Sequence, residues 1–299
     1  DPKIEELFNR TIKKGNFFAT TDVSTFKFAD IIIVDINLDV EKTNQSSGKL
    51  VRFDVDLSNF RNAIQSIGEN CKENALILVE TTVPPGTCRK IVKPIIEDCL
   101  NKRNLPTNQV KIGHSYERVM PGPGYVDSIQ NFYRVYSGLD KRSADAVESF
   151  LHTIIRTDEY PLTRLSSTNA TEMAKVLENS YRAQNIAFMV EWSRFAEESG
   201  VNIYEVIDAI KLRPTHSNLM YPGIGVGGYC LTKDALLASW SRQNLIAKND
   251  PLSQSEMAIS INDQMPQFAF EFLRKIYPKL KNSNILLLLT YYPLYLLTP

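Results

Sequence analysis

The segment Ala29-Asp-Ile-Ile-Ile-Val-Asp-Ile36 decides the fold class, because its centre is a continuous run of β-branched residues. Such runs are typical of strands that are buried on both faces, as in parallel sheets. A second apolar run, Ala75-Leu-Ile-Leu-Val-Glu80, follows a predicted helix over about residues 55–70. Two buried strands that alternate with helices predict an α/β domain with a parallel sheet.

Further elements extend this pattern on both sides. Residues 3–14 are predicted to be helical, and Thr81-Thr-Val-Pro-Pro-Gly86 forms a turn that opens a helix to about residue 102. Residues 110–114 and 133–136 are two more strand candidates. Ligands of parallel sheets bind beyond the carboxyl ends of the strands. The residues predicted at those ends are Asn37, Thr81 and Thr82.

One expected feature of a dinucleotide-binding sheet is missing. Such a sheet normally begins with a strand, a G-x-G-x-x-G turn and an acidic residue about 20 positions further on. No such pattern precedes residue 29. Either the first βαβ unit is absent from the chain, or the sheet binds no dinucleotide.

The pattern changes to all-helical near residue 165. Asn169-Ala-Thr-Glu172 predicts a capping box, with Asn169 as the N-cap and Glu172 at position N3. A helix of about 30 residues then reaches Gly200, the expected C′ glycine. A helix of this length often packs against a second copy, so we predict a homodimer through it. Further helices are predicted over residues 203–212, 232–246 and 254–278.

A glycine-rich segment, Gly223-Ile-Gly-Val-Gly-Gly-Tyr-Cys-Leu-Thr-Lys-Asp234, places four glycines before Cys230. Glycine permits φ > 0 and close approach of the backbone to a ligand. We predict that Cys230 lies at the N-terminus of the next helix, where the helix dipole lowers the pKa of a thiol and makes it a better nucleophile. The alternative is a turn with a buried structural cysteine.

Lys175 and Asn179 stand four residues apart on the long helix and therefore share one face. With Cys230 as nucleophile and Asp234 to manage protons, they would support covalent acyl chemistry by stabilising an oxyanion. A parallel sheet beside them would bring a nicotinamide for hydride transfer. The residues alone leave open thiol-dependent oxidation and thiol-dependent acyl transfer, and a solvated helix face is the simpler interpretation of each polar residue.

Composition excludes other classes of function. Lys+Arg and Asp+Glu are both 34, so no basic excess exists to attract nucleic acid or an anionic membrane. The apolar run over residues 285–297 is too short to span a membrane and contains Pro293. Because a charged segment opens the sequence, we expect no signal peptide and a reducing, cytoplasmic compartment. The cysteines share no metal-ligand spacing, so no metal is predicted; they are Cys71, Cys88, Cys99 and Cys230.

Four segments, in this order, resemble the UDP-sugar 6-dehydrogenases of the nucleotide-sugar dehydrogenase family, which serve polysaccharide biosynthesis. They are Val79-Glu-Thr-Thr-Val-Pro-Pro-Gly86, Tyr116-Glu-Arg-Val-Met-Pro-Gly122, Glu172-Met-Ala-Lys-Val-Leu-Glu-Asn179 and the glycine-rich segment. The resemblance spans nearly the whole chain. It implies an N-terminally incomplete, Rossmann-like NAD-binding domain over residues 1–165. A central helical domain with the catalytic cysteine and the dimer interface follows over 166–278, and an incomplete UDP-binding domain begins at 279–299.

The family oxidises the C6 alcohol of the sugar to a carboxylate with two NAD⁺ and releases no free aldehyde. By this resemblance Cys230 attacks the aldehyde, and the thiohemiacetal loses a second hydride to give a thioester. Lys175 and Asn179 match the residues that stabilise the oxyanion, and Asp234 matches the aspartate that manages protons and water. Glu117 matches the glutamate of thioester hydrolysis, and Thr82 matches the threonine near the nicotinamide. The cofactor-contacting positions implied in this way are Ile36, Asn37, Thr81, Thr82 and Lys233.

The loop that begins at Glu117 looks more like the UDP-N-acetylmannosamine branch than the UDP-glucose branch, which typically has a second glutamate where Pro121 stands. UDP-glucose 6-dehydrogenase, a single-step hydroxyacid dehydrogenase of the 6-phosphogluconate type and a non-catalytic dimeric scaffold are the alternatives. A guanidinium suits a diphosphate, so Arg213 is a candidate UDP contact, with local turn structure as the simpler interpretation. The implied substrate contacts are Glu117, Arg118, Val119, Lys175, Asn179, Arg213, Asn218, Tyr221 and Gly223.

The chain departs from the family pattern in several places. Leu38-Asp39 stands where the family has Thr-Pro, Tyr229 where many members have His or Ser, and Ala235 where proline is frequent. By the resemblance, we expect that the chain begins after the glycine-rich phosphate loop and that the third domain is cut off soon after residue 284. We therefore expect the polypeptide as given to bind NAD and UDP-sugar poorly.

Overall fold

The computed structural model describes residues 2–119 and 122–277. In chain order, the strands are β1 (Ile31–Val34), β2 (Val40–Asn44), β3 (Leu50–Val55), β4 (Leu76–Val79), β5 (Lys111–Tyr116), β6 (Val135–Gly138) and β7 (Thr163–Arg164). The helices are α1 (Pro2–Lys13), α2 (Ser58–Asn70), α3 (Lys93–Lys102), α4 (Tyr125–Gln130), α5 (Lys141–Leu151), α6 (Thr168–Glu198), α7 (Ile203–Lys211), α8 (Asp234–Asn244), α9 (Ser253–Asp263) and α10 (Met265–Ile276). Short 3₁₀ helices occupy Val23–Phe28 and Pro214–His216, and a π-helical turn at Cys88–Val92 leads into α3.

The first half of the chain forms a five-stranded sheet with the order β1-β4-β5-β6-β7. Strands β1, β4 and β5 are parallel, with Ile31 opposite Leu76 and Val34 opposite Val79. This confirms the predicted α/β class and the parallel arrangement of these strands. Strand β6 runs antiparallel to β5, so the sheet is mixed rather than wholly parallel. The difference arises because the sequence of a short strand carries no information about the direction in which the strand runs.

Strand β4, an interior strand of the sheet, is buried on both faces, as its apolar run predicts. Ile77 and Val79 join the core cluster formed with α2 and α3, whereas Leu76 and Leu78 join Val147 and other residues on the opposite face. Strand β1 is different. It lies at the edge of the described sheet, and its Ile31 and Ile33 are 39% and 49% exposed, so burial of this strand on both faces was a wrong prediction. Burial of the second face requires a neighbouring element, which local sequence does not specify.

The second half is helical and begins with the 31-residue α6. Its N-cap is Ser167, whose side chain accepts a hydrogen bond from the Ala170 amide. The capping box predicted at Asn169 and Glu172 is therefore wrong, because the helix begins two residues earlier. Gly200 follows the helix with φ = +71°, as expected for a C′ glycine. The single helix predicted over residues 254–278 is two helices, since α9 ends at Asp263 and α10 starts at Met265 with Pro266 in its first turn.

A hairpin of β2 and β3, which the sequence analysis did not predict, connects the two halves. Lys42 Nζ forms an ion pair with Asp263 Oδ2 at 2.7 Å, and the Leu50 amide donates to Ser260 Oγ at 3.0 Å. A Cβ added at Gly48 would lie 2.3 Å from the carbonyl oxygen of Asp263, so only glycine fits this contact. The hairpin thus packs directly on the helical half beside the glycine-rich segment.

Across residues 2–119 and 122–277, none of the helices is both long and apolar enough to cross a membrane. The strand predicted over residues 284–289 and the domain start predicted at 279–299 lie outside the described residues.

Candidate active site

Three polar candidates meet where α6 faces the start of α8. Asn179 Nδ2 donates to Asp234 Oδ2 at 2.6 Å, and Lys233 Nζ donates to Asp234 Oδ1 at 3.0 Å. Asp234 is 0% exposed, so both carboxylate oxygens are paired within the protein. The face of α6 that the i, i+4 spacing predicted is thus in contact with the first residue of α8.

Lys175 reaches from α6 to the loop after β5. Its Nζ donates to the carbonyl oxygen of Glu117 at 3.0 Å and lies 3.7 Å from Glu117 Oε1. Its side chain is 12% exposed, and Nζ lies 5.5 Å from the ring centre of Tyr116. Largely desolvated and beside a single carboxylate, this cation is placed to stabilise negative charge on a bound molecule.

Cys230 lies in the turn before α8. Its carbonyl oxygen accepts from the amides of Lys233 at 3.2 Å and Asp234 at 2.9 Å, so the helix begins four residues after the cysteine. The residue is exposed, which excludes the buried structural cysteine. Partial burial of the thiol and then the Asp234 carboxylate raise its pKa, and Lys175 and Lys233 oppose them. The prediction of a lowered pKa is therefore wrong, because desolvation of the thiol, followed by the Asp234 carboxylate in the first turn of α8, outweighs the two lysines.

The turn that carries Cys230 needs its glycines at two positions. Gly225 and Gly228 have φ values of +120° and +82°, which strongly favour glycine. The backbone at Gly225 also approaches α10, since an added Cβ would lie 3.1 Å from Met265 Cβ. Gly223, in contrast, has open space around it. The positive φ values predicted for the segment thus occur after Gly223, close to the cysteine.

Tyr229 links this turn to the sheet. Its hydroxyl donates to Asp39 Oδ1 at 2.6 Å and to the Leu38 carbonyl oxygen at 3.0 Å, just beyond the end of β1. Lys233 Nζ lies 4.2 Å from the centre of the Tyr229 ring. The lysine predicted to contact a cofactor is therefore beside the tyrosine that contacts the segment between β1 and β2.

The other predicted cofactor residues lie at the carboxyl ends of β1 and β4. Thr81 is buried, and its hydroxyl donates to the Ile36 carbonyl oxygen at 2.8 Å, which joins the two strand ends. Thr82 is half-buried and Asn37 is exposed. This set of hydroxyl, amide and carbonyl groups, with the Lys233 cation nearby, fits the amide-bearing nicotinamide half of a dinucleotide.

The predicted substrate contacts divide into two groups. Arg118 lies near the site: its Nε is 3.2 Å from Glu178 Oε2, and its guanidinium is 5.4 Å from the Tyr116 ring centre. The Val119 amide donates to the Glu117 carboxylate. Asn218 Nδ2 donates to Tyr181 Oη at 2.6 Å on α6. The hydrogen-bond partner of Tyr221 is Asp208 on α7, and the exposed Arg213 lies just after α7, so the structure does not draw these two into the Lys175–Asp234 cluster.

Sequence reasoning missed the role of Glu172. This residue is 0% exposed and accepts hydrogen bonds from the backbone amides of Gly86 and Cys88, in the segment after β4. Burial raises the pKa of its carboxyl group to about 7. The available signal was its spacing, because Glu172 precedes Lys175 by three residues and so lies on the same side of α6.

Comparison with known proteins identifies both halves of the chain. Residues 1–155 match the NAD binding domain of the UDP-glucose/GDP-mannose dehydrogenase family, and residues 169–264 match its central domain. The first match supports NAD as the cofactor, as the sequence predicted.

The chain also resembles individual members along most of its length. A UDP-N-acetyl-D-mannosamine dehydrogenase of Pyrococcus horikoshii is 32% identical over 283 residues, which cover 92% of this chain and 61% of that protein. One of Methanococcus vannielii is 32% identical over 289 residues, or 95% of this chain and 60% of that protein. A solved structure of UDP-D-ManNAc dehydrogenase from Pyrococcus horikoshii has a TM-score of 0.75 at 29% identity, covering 93% of this chain and 61% of the other. The chain thus spans about three fifths of the length of these relatives. It belongs to the UDP-glucose/GDP-mannose dehydrogenase family.

Proposed function

We propose that this chain carries out the NAD-dependent four-electron oxidation of the C6 alcohol of a UDP-N-acetylhexosamine, with UDP-N-acetylmannosamine as the substrate. The balanced reaction converts one alcohol, two NAD⁺ and one water into a carboxylate, two NADH and three protons. The observation that carries the proposal is the convergence of charged groups on an exposed thiol. Asn179 and Lys233 both donate to the Asp234 carboxylate, and the Asp234 amide donates to the Cys230 carbonyl oxygen at 2.9 Å.

The cofactor supplies the hydride acceptor for both oxidation steps, and the residues that would hold its nicotinamide half are Ile36, Asn37, Thr81, Thr82 and Lys233. The remaining chemistry belongs to the chain itself. Cys230 forms a bond to the aldehyde carbon and gives its proton to the solvent or to the carbonyl oxygen. Water later replaces the sulfur at the thioester carbon, and the thiol is regenerated.

The surrounding side chains have distinct roles in this scheme. Lys175 and Asn179 stabilise the oxyanion at C6, and their positions on one face of α6 support this role. Asp234, held by Asn179 and Lys233, keeps the amide and the cation in place, and the family resemblance assigns it the management of protons. Glu117, whose carboxylate is 43% exposed, is open to the water needed for thioester hydrolysis.

Two observations support the N-acetylhexosamine substrate over UDP-glucose. Both relatives described above are named UDP-N-acetyl-D-mannosamine dehydrogenases. The Glu117-Arg-Val119 segment also has the residues of that branch. We further propose that the enzyme works in the cytoplasm, since its cysteines in the described residues are free thiols.

The direct test is the number of NADH molecules formed per UDP-N-acetylmannosamine consumed, measured on the longest form of the protein that contains this chain. Two per sugar are expected. One per sugar would reduce the reaction to a simple alcohol oxidation and remove the role of Cys230. Turnover of UDP-glucose at an equal or higher rate would overturn the substrate assignment and retain the mechanism.

We also propose a homodimer that forms through α6. Apolar and aromatic side chains line the exposed part of this helix and would be covered in a dimer. They are Met173, Leu177, Tyr181, Phe188, Trp192 and Phe195, all between 46% and 63% exposed.

A further inference from the structure

Glu172 is a buried carboxylate to which the scheme above gives no role. It lies on α6, one turn before Lys175, and is 0% exposed. Its Oε2 accepts from the Gly86 amide at 2.5 Å, and its Oε1 accepts from the Cys88 amide at 2.8 Å. Both oxygens are therefore used by backbone donors that belong to a different part of the chain.

Those donors lie in the segment that leads from the cofactor edge into α3. Gly86 has φ = +101°, a conformation that strongly favours glycine, and the side chain and amide of Thr87 both donate to the Pro84 carbonyl oxygen. On the other side, Ser241 of α8 donates to the Pro85 carbonyl oxygen. The segment after Thr81 and Thr82 is thus held between the two helices that carry Lys175 and Asp234.

A carboxylate suits this contact better than a neutral side chain. Two buried amides need acceptors, and a buried donor left unpaired destabilises the fold. Burying an ionisable group is itself costly unless it is hydrogen-bonded. Apolar packing between α6 and the sheet would hold the domains together without that cost. The role of the carboxylate is therefore to fix the backbone position of this segment.

We propose that Glu172 is a positioning residue, which ties the amides of Gly86 and Cys88 to α6 and so sets the cofactor edge at Thr81 and Thr82 relative to Lys175. This inference rests on the proposed function, in which hydride leaves a carbon held near Lys175. It predicts that weakening the contact lowers kcat but leaves the binding of the cofactor nearly unchanged. The reason is that a small misplacement of reacting groups lowers kcat more than it lowers affinity.

The test compares Glu172→Gln, Glu172→Asp and the control Glu191→Gln, an exposed glutamate on the same helix. Gln keeps the shape but offers one acceptor oxygen to two donors, so kcat should fall by about tenfold to a hundredfold. The KM for NAD should change less than threefold by the same reasoning. Asp keeps both acceptors on a side chain shorter by one methylene and should retain an intermediate kcat.

A second readout does not depend on turnover. Hydrogen exchange at the Gly86 and Cys88 amides, and alkylation of the buried Cys88 thiol by N-ethylmaleimide, should both accelerate in Glu172→Gln and stay at the wild-type rate in Glu191→Gln. Faster exchange with an unchanged kcat would overturn the positioning role. Wild-type exchange and wild-type kcat together would overturn the contact itself.

Two further outcomes are distinguishable. If Glu172→Gln does not fold, Glu172→Asp decides, and wild-type values of both exchange and kcat in that variant would overturn the proposal. If the wild-type protein forms no NADH from any UDP-sugar, the proposed function fails. Exchange at Gly86 and Cys88 with and without NAD then tests the contact alone, and wild-type exchange rates in Glu172→Gln would overturn it.

Discussion

Cys230 combines exposure with a thiol whose pKa is raised by desolvation and by the Asp234 carboxylate. Because the thiolate is the reactive form, alkylation of Cys230 by iodoacetamide should accelerate with pH to a midpoint above about 8.5, the usual pKa of a free cysteine. Asp234→Asn should lower the midpoint, since it removes the nearby negative charge. The buried Cys71, Cys88 and Cys99 should stay unmodified and serve as internal controls. A wild-type midpoint below that of free cysteine would contradict the electrostatic assignment.

Cys230→Ala separates the covalent route from a single-step dehydrogenase. The variant should form no uronic acid from the UDP-sugar, because no sulfur remains to hold the aldehyde. The measurement is the yield of uronic acid under conditions in which the wild type completes the reaction. An unchanged yield of uronic acid would eliminate the covalent route through Cys230.

Lys175 gives a second residue-scale prediction. Its Nζ is nearly buried and donates to the Glu117 carbonyl oxygen, so it is held in place before any substrate binds. Lys175→Ala should lower kcat by about 10²–10³, the cost of losing one preorganised oxyanion donor. Steady-state kinetics beside Lys102→Ala, an exposed lysine at the end of α3, provide the measurement and its control. A decrease in kcat of less than tenfold would indicate that Lys175 is an ordinary surface residue.

Tyr229 and Asp39 each depart from the family pattern, and the structure shows that they are hydrogen-bond partners at 2.6 Å. In a double-mutant cycle with Tyr229→Phe and Asp39→Ala, we expect a coupling of at least about 0.5 kcal/mol in the free energy of unfolding. Urea denaturation of the wild type, both single variants and the double variant measures it. Strictly additive effects would mean that the two departures are independent.

At the scale of secondary-structure elements, variants at the start of α6 distinguish the predicted N-cap of this helix from the observed one. Ser167 accepts from the Ala170 amide, so Ser167→Ala should lower the free energy of unfolding by about 1 kcal/mol. Asn169→Ala is the matched variant. It should cost less than about 0.5 kcal/mol, because Asn169 lies inside the helix and caps nothing. Thermal or chemical denaturation measures both, and the reverse order would restore the predicted capping box.

At the scale of the whole molecule, the exposed apolar side chains of α6 predict the oligomeric state. Trp192→Glu should convert a dimer into a monomer, because a charge would be buried without a partner at the interface. Light scattering after size-exclusion chromatography measures the mass. Phe18→Glu is the control, since this phenylalanine is 83% exposed and lies outside α6. An unchanged mass for Trp192→Glu would exclude this face of α6 from the interface.

Several features of this protein followed from the sequence alone. The apolar runs predicted β1 and β4, and the spacing of Lys175 and Asn179 placed both on one face of a helix that does contact Asp234. The four family-like segments also indicated the family to which the chain belongs. These inferences succeeded because strand and helix periodicity are local properties of the chain.

Other features were decided only by the tertiary structure. The exposed face of β1, the antiparallel direction of β6 and the docking of the hairpin through Gly48 depend on elements that are distant in sequence. The pKa of Cys230 has the same kind of origin, since burial in the folded chain raises it and Lys175 opposes that increase from α6. Glu172 shows the difference most directly. Its spacing suggested a local cap, yet its carboxylate binds amides 84 and 86 positions away in the chain. Solvation and hydrogen-bond partners are set by the folded neighbourhood, which local periodicity does not encode.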